Sequence, residues 1–149
     1  MKIIIEGKRI LIGADVLGYY SYYIAIWKRN LDHRLTMKKV LAQWATAVAS
    51  LSRRGGAAYL PYDLNDQSCG FLKAELDGEE VVLTDMLVGG DGYRMNLDDL
   101  SREMYSEPRV IDSWYEENGQ RHDCGSKVFG RYNAVELIGA LKDAEIADA

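Results

Sequence analysis

The chain opens with two short apolar bursts, Lys2-Ile3-Ile4-Ile5 and Arg9-Ile10-Leu11-Ile12, separated by Glu6-Gly7-Lys8. Such β-branched runs around a glycine that can take a positive φ predict a hairpin over residues 2–12. Residues 13–18, bounded by Gly13 and Gly18, read as a break. Residues 19–27 (Tyr-Tyr-Ser-Tyr-Tyr-Ile-Ala-Ile-Trp) are bulky on both alternating faces and also place large side chains at helical spacing. Their aromatic and β-branched content favours a strand. The polar stretch 28–35 reads as a loop. Helix is predicted from Thr36, because Met37, Val40, Leu41, Trp44, Val48 and Leu51 recur at three- and four-residue steps. Arg53 and Arg54 suit the negative end of its dipole, and Gly55-Gly56 can stop it. The bland face of Ala42, Gln43, Thr46, Ala49 and Ser50 admits a homodimer.

Beyond residue 56 the pattern turns to strands and hairpins. Residues 57–60 run into Pro61, which argues for a strand end or an edge, and Asp63-Leu64-Asn65-Asp66-Gln67 follows as a polar turn. Strands over 69–76 and 80–88 flank Asp77-Gly78, a strong hairpin signal. Gly89-Gly90-Asp91-Gly92 reads as a loop, and Asn96 can cap a short helix over 97–105 that ends before Pro108. A second hairpin is expected over 109–117 and 120–129, around Asn118-Gly119. Asn133 and Glu136 form a capping box for a last helix with Val135, Leu137, Ile138, Leu141 and Ala144 toward the core, and the tail is expected to fray after about Ile146. The expected fold is a single α+β domain: mainly antiparallel β-hairpins forming a twisted sheet, with about three helices packed against it.

Composition narrows the class. With 149 residues, 48% of them hydrophobic, and two cysteines, the chain needs no disulfide or metal staple to build a core. No apolar run approaches the roughly 20 residues of a membrane span, and the amino-terminal apolar burst meets a charge and a turn too early for a signal peptide. A soluble, cytoplasmic protein is the expectation. The net charge of -5 conceals a division: residues 1–56 hold ten Lys or Arg against three acids, and residues 57–149 hold eight against twenty.

Candidate chemistry is sparse. There is no phosphate loop, no dinucleotide fingerprint, no nucleophile elbow, no His-Glu-x-x-His and no Cys-x-x-Cys, so no catalytic, metal or cofactor residue is assigned and no cofactor is expected. Asp63-Leu64-Asn65-Asp66 opens like a calcium loop, yet glycine falls at its eighth position and Ala74 at its twelfth. Cys69 and Cys124 read as small buried hydrophobes. In His122-Asp123-Cys124 the thiol and imidazole share a strand face, but at about 6–7 Å they stand too far apart for direct nucleophile and base contact. Lys28, Arg29, Arg34, Lys38, Lys39, Arg53 and Arg54 near Tyr22, Tyr23 and Trp27 sketch a nucleic-acid surface, against which the pI of about 5.0 argues.

The acidic side suggests a protein partner. Carboxylates on expected turns alternate with tyrosines, the pattern of aromatic anchors within a charged field that speeds encounter with a basic protein. Tyr59, Tyr62, Asp63, Asp66, Asp91 and Tyr93 are the candidate interaction surface. An inhibitory or immunity-like role, neutralising a cationic protein, is the most concrete form of this expectation. The alternative is a small enzyme whose pocket is assembled from distant acids and tyrosines.

Overall fold

The computed structural model describes residues 1–18, 33–64, 68–89 and 123–147. The first hairpin forms as the pattern requires: strands β1 (Ile3–Glu6) and β2 (Arg9–Ile12) pair antiparallel, with Ile3 opposite Ile12, and Gly7 takes φ +59° at the turn. Residues 13–18 are not a break. Gly13, at φ +61°, reverses the chain again, and β3 (Asp15–Gly18) pairs antiparallel with β2 so that Leu17 is buried. The strand has only four residues and takes Gly18 into its ladder, opposite Arg9.

Helix α1 (His33–Arg54) begins three residues before Thr36, so the expected loop ends sooner than its composition implies. Its stripe behaves as the spacing dictates: Met37, Val40, Leu41, Trp44, Val48 and Leu51 are all buried. Arg53 and Arg54 occupy the last turn, and Gly55 and Gly56 adopt φ +65° and +72° beyond it.

Strands β4 (Ala57–Leu64), β5 (Ser68–Asp77), β6 (Glu80–Gly89) and β7 (Asp123–Asn133) form a second sheet, antiparallel throughout and ordered β4-β5-β6-β7. Pro61 does not end its strand. It lies on an edge strand of that sheet, and a register shift between Pro61 and Asp63 carries the pairing on to Leu64 opposite Cys69. The β5–β6 hairpin closes through Gly78 at φ +64°, with Asp77 opposite Glu80. Strand β7 continues four residues beyond the expected end at Phe129.

Helix α2 (Ala134–Lys142) is capped as predicted: the Glu136 amide donates to Asn133 Oδ1 at 3.0 Å. Leu137, Ala140 and Leu141 face the core, but Val135 is 80% exposed, because it lies about 200° round the helix from Leu137. The chain is held through Ala147. Glu145–Ile146, as β8, pairs parallel with β1, and the Ala147 amide donates to the Ile5 carbonyl at 2.9 Å.

Among the described residues the architecture is therefore α+β with two four-stranded sheets rather than one, the first ordered β3-β2-β1-β8. The described residues hold two helices rather than three, and the third expected helix, over 97–105, lies outside them, as do the expected strands over 19–27 and 109–117. One cluster unites the inner residues of both sheets, including Ile3, Ile5, Ile10, Ile12, Leu60, Leu72 and Leu83, with the buried faces of both helices.

Candidate interaction surface

Strand alternation puts Leu72 and Ala74 of β5 on the core face, and their partners across β6 are Asp85 and Leu83. The row that runs Leu60, Leu72, Asp85, Lys127 across the sheet thus begins fully buried and ends in two charged side chains. The core runs out along this row. Asp85 is half-buried at its limit, and the Tyr62 hydroxyl reaches over β5 to donate to Asp85 Oδ1 at 2.6 Å. A hydroxyl donating to a carboxylate in such a setting contributes about 1.5–3 kcal/mol, which offsets part of the cost of drawing the charge out of water.

Backbone irregularity surrounds the pair. Tyr62 lies within the register shift of β4, and two further shifts, between Leu83 and Thr84 and between Leu87 and Val88, bracket Asp85 on the β6–β7 side. Alternation with Ala58 and Leu60 puts the edge-strand tyrosine on the core face, and the bulge leaves it outside the ladder pairing. Among the described residues no cation forms an ion pair with Asp85, although Lys127 stands directly opposite on β7, exposed.

At the other end of the sheet the β5–β6 hairpin carries Glu75, Asp77, Glu79 and Glu80, all exposed. Lys73 meets Glu75 at 3.6 Å, while Arg131 pairs with Asp77 and lies 3.6 Å from Glu80. Four carboxylates therefore face two cations. Such exposed pairs add at most about 1 kcal/mol each to stability and leave a negative field at the hairpin.

Tyr132 joins the two sheets. Its hydroxyl donates to Asp15 Oδ2 on β3 at 2.6 Å, and its ring lies so close over Gly130 that a β-carbon there would sit 2.5 Å from the phenol oxygen. A side chain at position 130 would force the Tyr132 ring to shift. Burial first, and then the hydrogen bond and charge of Asp15, push the Tyr132 phenol well above its ordinary value. The contact is a structural clasp, since both ends are engaged within the fold.

A separate cavity of about 400 Å³ lies between the amino terminus, α2 and β8, lined by Met1, Lys2, Val135, Glu136, Asp143 and Glu145 among others. It contains neither Tyr62 nor Asp85.

Of the surface expected from sequence, Tyr59 is 7% exposed and packs in the core, so its ring is not a surface anchor. Tyr62 is half-buried and engaged with Asp85. Asp63 follows it on β4, opposite Gly70. Asp66, Asp91, Tyr93 and His122 lie outside the described residues. Asp85 itself escaped the sequence reading, although the alternation Val81, Leu83, Asp85 signals a carboxylate on a buried face. Cys69 is on β5 and Cys124 on β7, with β6 between them; that spacing, about 10 Å, exceeds the roughly 7 Å limit of a disulfide. No group of three metal-ligating side chains occurs among the described residues, and no helix there is long and apolar enough to cross a membrane.

Compared with known protein families, with curated proteins and with solved structures, the chain matches none.

Proposed function

We propose that this chain is a small acidic domain acting by noncovalent interaction with a basic protein, with an inhibitory or immunity-like role as the most concrete form. The observation that carries the reading is the uneven charge on the second sheet: four exposed carboxylates at the β5–β6 hairpin against Lys73 and Arg131, in a part of the chain where acids outnumber bases twenty to eight. A field of this kind accelerates encounter with a cationic surface, and its strength falls with salt over a Debye length of about 10 Å at 0.1 M.

A second reading, a small enzyme with an acid- and tyrosine-lined pocket, draws on the Tyr62–Asp85 hydrogen bond. The cavity of about 400 Å³ does not include that pair.

Calorimetric titration of the full chain with an arginine-rich peptide, and with its citrulline counterpart of equal length, tests the proposal. Binding of the arginine peptide alone, weakening as ionic strength rises, is the expected result. Equal behaviour of the two peptides would remove the electrostatic basis of the reading.

A further inference from the structure

We draw no further inference here: the strongest candidate, the cavity of about 400 Å³ between the amino terminus, α2 and β8, offers only an exposed acidic rim of Glu136, Asp143 and Glu145 around Val135, and nothing in the structure shows what covers it.

Discussion

The two sheets are built to different rules. In the first, β1 and β2 pair without interruption, Ile3, Ile5, Ile10 and Ile12 are all at most 2% exposed, and β8 adds a short parallel edge. In the second, the register shifts three times, and the core-facing row of Leu60 and Leu72 ends at Asp85 and Lys127. Regular pairing with β-branched residues maximises burial, while bulges and a half-buried carboxylate sacrifice burial for placement of particular side chains. The comparison sets a sheet built for burial beside one whose far end places a half-buried carboxylate and its tyrosine.

The largest effect that could break this assignment is in the scaffold. Ile10→Ala removes a side chain with 0% exposure and should cost about 2–5 kcal/mol in urea unfolding. Val135→Ala, at 80% exposure on α2, should stay within about 0.5 kcal/mol. Similar losses for the two would show that the core is not where burial places it.

Next in size is the clasp between the sheets. Gly130→Ala forces a methyl group against the Tyr132 ring and should destabilise by about 1–3 kcal/mol, again read from denaturant midpoints. Tyr132→Phe removes the bond to Asp15 and should cost roughly 1–2 kcal/mol at neutral pH.

The same residue gives a pH signature. Because the folded Tyr132 phenol holds its proton above its ordinary value near 10, its contribution is fully present below about pH 10 and is lost as pH rises toward the folded value. Wild type should therefore lose stability across that alkaline window more steeply than Tyr132→Phe. Parallel curves would show that the clasp does not couple to folding.

The smallest expected effect on stability sharpens the contrast from the other side. Asp85→Asn exchanges a half-buried charge for a neutral group of the same shape, so the lost charged hydrogen bond and the relieved desolvation nearly cancel, leaving a change under about 1 kcal/mol in thermal unfolding. A loss as large as that of Ile10→Ala would place Asp85 with the scaffold.

What the sequence made legible follows the same division. Signals that act within a few residues were readable: the α1 stripe from Met37 to Leu51, the Asp77-Gly78 hairpin, and the Asn133 and Glu136 capping box. Features that depend on partners far along the chain were not. Strand β3 is recognisable only once β2 is there to pair with it, and β8 has two residues and no pattern of its own. Among the described residues the single expected sheet is two, because β1, β2 and β3 pair with one another and with β8 and none of them with β4 to β7, a choice of partner that local alternation does not encode. The site shows the same limit. Tyr62 was legible as an aromatic among acids, but its bond to Asp85 spans 23 positions and reaches over the intervening β5.

The most direct test of the division is hydrogen exchange of the full chain with and without the arginine-rich peptide. The proposed charge-based binding predicts added protection at the β5–β6 hairpin, from Glu75 to Glu80, with β1, β2 and β8 unchanged. Protection appearing instead in the first sheet, or along the cavity between the amino terminus and α2, would contradict it.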